Sequence, residues 1–315
     1  MLKLILSVFL ATSLTSSLFG ATRSELKQYK VDWKPLQKYP RMYDEYHQIY
    51  QASKDRQSID EMARALNLVE RVLEKEEQWL DGYWLVGSIA FQLGSSYTHE
   101  KDLPVAREIF VKGRHATEQC LKRDPSHVLC KLFLGSSLGK IGTIDGIFAS
   151  LKKARKIQDL WTDVAESDVD YRFMESVTMQ GSVNYALGIF YRLIPDMLIL
   201  DWLFDVRGDI DKSIRYHRQS IAYDGPNACN VLMLSVSLLC KADGDFKNSE
   251  GREGLKLLSQ VESIKTEHAT LRVCVKDAGK LKAKPSLSCG YDTSKQQDTS
   301  QDAFEKSQDS EPVAH

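Results

Sequence analysis

Small side chains recur along this chain at the offsets of a helical hairpin of about 34 residues, and that recurrence constrains the fold more than any other feature. Frames opened at Leu80, Val128 and Gly181 place Gly87, Gly135 and Gly188 at the same eighth position. In the second helices of these frames, Gly113, Cys120, Ala154, Ser213 and Ser220 take the other narrow positions. Paired helices pass closest at such points, where a larger side chain would force them apart. A further frame carries Met233, Val236 and Ser237, and Ile59–Glu76 carries Ala65, Val69, Val72 and Leu73 as the second half of a partial unit. The pattern predicts an all-α solenoid of about four to five degenerate helical hairpins. Two stretches fall outside the frame, one after Gly94 and one after Arg192, and are expected as inserted loops. Gly94, Gly142 and Gly244 are placed to stop first helices, and Ser58 to cap a helix that begins at Ile59.

The ends of the chain differ from this middle. Residues 1–20 carry Lys3, an apolar run from Leu4 to Leu14, then small and polar residues up to Gly20, the layout of a cleaved secretory signal. The apolar run is about half of what spans a bilayer, so a periplasmic or otherwise exported protein is expected, with no stable membrane span after cleavage. Residues 21–40, with Pro35 and Pro40, read as an extended leader, and 41–283 as the helical repeat domain. Residues 284–315, rich in Ser, Gln, Asp and Lys, read as a disordered polar tail. Lys+Arg number 42 against 43 Asp+Glu, a formal charge of −1, which gives nucleic acid no electrostatic footprint.

Export permits disulfides, but the six cysteines are too sparse for a scaffold that depends on them. Cys229 and Cys240 fall on one expected helix, about 16 Å apart, too far to join each other, and read as small buried hydrophobes. Cys120 and Cys130 flank an expected turn and could meet, although each also fills a small packing position. Cys274 and Cys289, on either side of Lys284-Pro285, are the candidate pair. No two of the seven histidines stand at i, i+3 or i, i+4, and no C-x-x-C, H-E-x-x-H or phosphate-loop motif occurs. No metal site and no cofactor are therefore expected. His217 falls at a packing position and reads as a satisfied interior histidine. Gly135-Ser136-Ser137-Leu138-Gly139 spells G-x-S-x-G, but inside an expected helix instead of a strand-to-helix elbow. A serine hydrolase using Ser137 is a remote alternative to a protein that is not an enzyme.

The inward positions of the first helices are more informative. They carry Trp84, Phe91, Leu132, Tyr185, Ile189 and Arg192, a lining that serves either as plain core or as a groove for an apolar ligand or a partner's hydrophobic segment. Pro195–Phe204 is the most apolar stretch outside the signal, with Met197, Leu198, Leu200, Trp202 and Phe204 as candidate docking residues. Asp196, Asp201 and Asp205 favour cover over the groove or protein docking above contact with anionic lipid.

The stretch Tyr185-Ala-Leu-Gly-Ile-Phe-Tyr-Arg-Leu-Ile-Pro195, followed by Arg207-Gly-Asp-Ile-Asp-Lys-Ser-Ile214 and Ala222-Tyr-Asp-Gly-Pro-Asn227, resembles a segment of exported tetratricopeptide (TPR)-like proteins of the TatT family. Those proteins are associated with TRAP-type solute transporters. Ala149–Arg155 and Leu134–Gly139 fit too; the likeness runs over roughly residues 45 to 265, and a looser one extends to the regulator-of-microtubule-dynamics proteins. The resemblance implies a TPR-like periplasmic adaptor whose hydrophobic channel or groove meets a solute-binding protein, with Tyr185, Tyr191 and Arg192 at matched positions. The lipoprotein cysteine typical of the transporter-linked members is missing here. The expected function is a scaffold that binds a partner protein, with the solute-binding subunit of such a transporter as the candidate partner; the alternative is a carrier of a hydrophobic small molecule.

Overall fold

A computed structural model describes residues 25–53, 58–266, 269–293 and 296–309; the expected signal, 1–20, lies outside them. A leader strand β1 (Lys27–Gln28) precedes α1 (Lys34–Gln37), α2 (Pro40–Ser53), α3 (Ile59–Leu73), α4 (Leu80–Ser95), α5 (Leu103–Arg123), α6 (Val128–Asp145) and α7 (Leu151–Ala165). Short strands β2 (Val169–Asp170), β3 (Arg172–Met174) and β4 (Val177–Thr178) come before α8 (Met179–Leu193), α9 (Leu198–Phe204) and α10 (Ile210–Asp224). The chain ends with α11 (Ala228–Lys241), α12 (Ser249–Ser263), α13 (Ala269–Ala283) and α14 (Gln301–Asp309). The protein is all-α. No helix among the described residues is long and apolar enough to cross a membrane.

Local sequence explains where helices start and stop. Ser58 accepts a hydrogen bond from the Glu61 N–H at 3.3 Å, and Asp60 and Glu61 occupy the first turn of α3, where negative charge meets the positive helix end. The apolar side of that helix, Met62, Ala65, Leu66, Val69 and Val72, is buried. One expected stop moves: α6 runs through Gly142 to Asp145 and ends at Gly146, whose φ of 104° needs a glycine.

Helices α2 and α3, α4 and α5, α6 and α7, α8 and α10, and α11 and α12 pack as successive pairs, and α4, α6, α8, α11 and α13 touch in that order. The small residues lie at these contacts. A Cβ on Gly87 would come within 2.7 Å of Thr117 in α5, and one on Gly188 would run into the His217 ring in α10. Gly135 is covered differently: a Cβ there would stand 2.5 Å from the Trp161 indole, a large side chain of α7 that fills the narrow position. Gly188→Val is expected to lower stability by about 1–3 kcal/mol through overpacking, read from urea unfolding, since His217 is fully enclosed and has no room to retreat.

The leader is tied down and not merely extended. β1 pairs in parallel with β2, Lys27 opposite Val169. Tyr29 donates to Asp81 at 2.6 Å, and the Asp32 N–H reaches the other Asp81 oxygen at 2.6 Å. His127 caps α6 by accepting from the Cys130 N–H through Nδ1, so its Nε2 donates to the Tyr29 hydroxyl at 3.0 Å. Burial lowers the His127 pKa and keeps the ring neutral for that double role.

Two expectations about the C-terminal third are corrected. Cys274 and Cys289 are not joined: the bridges are Cys120–Cys130, Cys229–Cys274 and Cys240–Cys289. Cys229 and Cys240 do share a helix, α11, but each reaches a different neighbour, α13 for the first and the segment after α13 for the second. The described part of 284–315 is also ordered. Arg192, 5% exposed, donates to the carbonyls of Ser288, Cys289 and Tyr291 at 2.8–2.9 Å. Tyr291 donates to Asp277 at 2.8 Å, Gln297 to the Thr143 carbonyl at 2.9 Å, and Phe304 packs on Phe148. Too few apolar residues order this strap by themselves; a covalent bridge and a buried cation hold its backbone instead.

Candidate functional site

The paired helices line a partly open cavity of about 680 Å³ with a predominantly apolar wall. Trp84, Phe91, Leu132, Tyr185 and Ile189, expected on the inner surface, all line it. Arg192 does not: its guanidinium is turned onto the strap, and burial pushes its pKa down to about 10 despite nearby Asp292. The strap itself completes the wall through Asp292 and Thr293.

The sequence frame missed a second group of lining residues. Tyr171 and Phe173 come from the β2–β4 region between two hairpins, where alternation of aromatic and polar residues around Arg172 was the available signal. Phe173 meets Phe133 at 5.6 Å between ring centroids, and Tyr171 meets Trp84 at 5.3 Å, both edge to face, a favoured aromatic geometry. Elsewhere on the wall His47 sits against Trp33 and Tyr46, and its Nε2 is buried with no hydrogen-bond partner. Burial lowers the His47 pKa.

Four wall residues bear ionisable acid or base groups other than phenols: His47, Lys140, Asp224 and Asp292. Lys140 and Asp292 lie 3.6 Å apart as a largely buried pair. Asp224, the last residue of α10, accepts from the Thr178 N–H at 2.8 Å and the Thr178 hydroxyl at 2.9 Å through Oδ1. Its Oδ2 has only the Asn230 amide at 3.5 Å. Burial, with neighbouring Asp170 adding to it, raises the Asp224 pKa from 3.8 to about 6.

No protein-family model matches this chain, and no curated protein matches it either.

The predicted docking stretch divides in two. Leu200 is fully buried, and Met197 and Phe204 pack partly against the core, so these three anchor α9. Leu198 and Trp202 are 71% and 80% exposed, and Ile199 and Leu203 accompany them. Ser137 is fully buried within α6, with no hydrogen-bond partner for its hydroxyl, so a base that would activate it as a nucleophile is not in contact. His217 is interior as expected but unsatisfied: both ring nitrogens lack partners, and burial beside Arg192 holds its pKa well below the usual histidine range. Cys120, His127 and Cys130 have ligand atoms within 4.8 Å of one another, yet the two sulfurs are bonded together and both ring nitrogens are engaged.

Asp224 makes a stability prediction with a definite sign. Its pKa is higher folded than unfolded, so between about 4 and 6 the folded state keeps a proton that the unfolded state gives up. The stabilisation is complete below pH 3.8 and lost as pH rises through about 6. Asn at this position can still accept from Thr178 and carries no charge. Asp224→Asn is expected to gain about 2 kcal/mol relative to the native chain between pH 3.5 and pH 7.5, measured by denaturant unfolding at the two pH values.

Proposed function

We propose that the protein is a non-enzymatic, TPR-like helical-hairpin solenoid that carries a hydrophobic small molecule in its inner cavity. One observation carries this reading: a partly open, largely apolar cavity of about 680 Å³, within the usual range for a ligand site. A lining of close-packed core would leave voids of little more than a methyl group. Resemblance to the exported TatT-type proteins supports a hydrophobic channel and a periplasmic location. Organic extraction of the purified protein followed by mass spectrometry is expected to release an apolar compound in near-stoichiometric amount. Ser136, on the cavity wall and half-buried, offers a control: Ser136→Phe fills the space and is expected to reduce the extracted compound about tenfold, a loss of about 1.4 kcal/mol in binding. Equal and negligible release from both proteins would count against the carrier.

The exposed face of α9 favours a second reading, an adaptor that docks a partner protein, with a solute-binding subunit of a TRAP-type transporter as the partner that the resemblance suggests. Leu198, Ile199, Trp202 and Leu203 form an apolar patch that a lone soluble chain gains nothing by exposing. Trp202→Asp is expected to abolish co-purification of a partner while changing stability by less than about 0.5 kcal/mol; an unchanged pull-down would discard the patch as a docking site.

A further inference from the structure

The charge balance of the cavity wall says what kind of hydrophobic molecule it suits, an inference that rests on the carrier reading. An apolar enclosure tolerates a charged group only when something compensates it. Lys140 and Asp292 compensate each other. His47, with its pKa lowered by burial, adds no charge at neutral pH. Asp224 is left over: no described lysine, arginine or histidine forms an ion pair with it, and a second carboxylate, Asp170, adds like charge to its surroundings.

Helix capping accounts for only part of these two acids. Asp224 holds Thr178 at the start of α8, and Asp170 accepts from the Gln180 N–H at 3.0 Å in the first turn of the same helix. A helix N-terminus is equivalent to about half a positive charge, so two carboxylates overload it. Asp224 also ends α10, and the negative end of that helix adds to the imbalance. Geometry directs the surplus: Oδ1 is occupied by two short hydrogen bonds, whereas Oδ2 has a single long one and belongs to a residue on the cavity wall, beside Asn227 and Asn230.

We propose that Asp224 receives the ammonium head of a cationic amphiphile, such as a long-chain alkylamine, whose apolar body lies along the aromatic and aliphatic wall. A protonated amine donates to Oδ2 and supplies the missing counter-charge, and its chain lies on the predominantly apolar remainder of the wall. A carboxylate-headed ligand meets Asp224 as a like charge and is disfavoured.

The test compares three ligands with one chain and different heads, dodecylammonium, dodecanol and dodecanoate. Each displaces N-phenylnaphthylamine fluorescence from the full chain at pH 7.5, below its micelle concentration. Dodecylammonium is expected to bind about tenfold more tightly than dodecanol, and dodecanoate more weakly than both. In Asp224→Asn the advantage of the ammonium is expected to vanish while dodecanol affinity stays the same, which also reports that the cavity is folded. Equal affinity for dodecylammonium and dodecanol in the native protein overturns the headgroup site and leaves the carrier standing, as does an ammonium preference that survives in Asp224→Asn. Should that variant not fold, the order of the three ligands on the native protein decides the matter alone. Failure of all three to displace the dye overturns the carrier and the headgroup site together.

Discussion

Replacing Cys240 and Cys289 together by serine is expected to lower the free energy of unfolding by about 2–4 kcal/mol. The bridge closes a sequence separation of 49 residues, against 10 for Cys120–Cys130, and a longer closed loop restricts the unfolded chain more. Reduction should follow an order too. Cys120, Cys130 and Cys274 are at most 1% exposed and Cys229 8%, while Cys240 and Cys289 are both half-buried. A mild dithiol reductant without denaturant is therefore expected to open Cys240–Cys289 first, giving two alkylated cysteines by mass spectrometry at residues 240 and 289. Labelling that begins at Cys120 or Cys229 would contradict the arrangement.

Arg192→Ala is expected to destabilise the protein by about 3 kcal/mol or more, since three strap carbonyls lose their donor inside the protein. Arg192→Lys should not restore stability: one ammonium lacks the planar fork that reaches three carbonyls at once. In the alanine variant the strap is expected to become sensitive to limited proteolysis between residues 290 and 309, releasing a C-terminal fragment that carries no cysteine while Cys289 stays joined to Cys240 in the larger piece. Protection equal to that of the native chain would show that the strap does not depend on Arg192.

The two experiments concern the part of the chain that sequence described least well, and the reason is physical. Hairpins were legible because helix crossings demand small residues locally: Gly87, Gly113 and Gly188 all sit at such contacts. The inner positions Trp84, Phe91, Leu132, Tyr185 and Ile189 follow from the same periodicity. A strap held by main-chain carbonyls leaves no pattern in its own side chains, and its anchor, Arg192, looks from the sequence like one more inward position. Disulfide partners were equally hidden, because spacing along one helix excludes a bridge between Cys229 and Cys240 without saying which other helix each one faces. Asp224 escaped notice because it ends a helix, where polar residues are ordinary; only its place on the cavity wall makes its charge conspicuous.

The parallel pairing of Lys27–Gln28 with Val169–Asp170 has a consequence in time. A chain emerging N-terminus first, from a ribosome or through a membrane pore, releases its leader long before the strand that will hold it. Tyr29 and Asp32 can find Asp81 earlier, but the pairing itself waits until more than half of the protein has appeared. Lys27 and Gln28 are thus among the last residues to settle, and slow closure of contacts so distant in sequence is what topology-dependent folding rates lead one to expect.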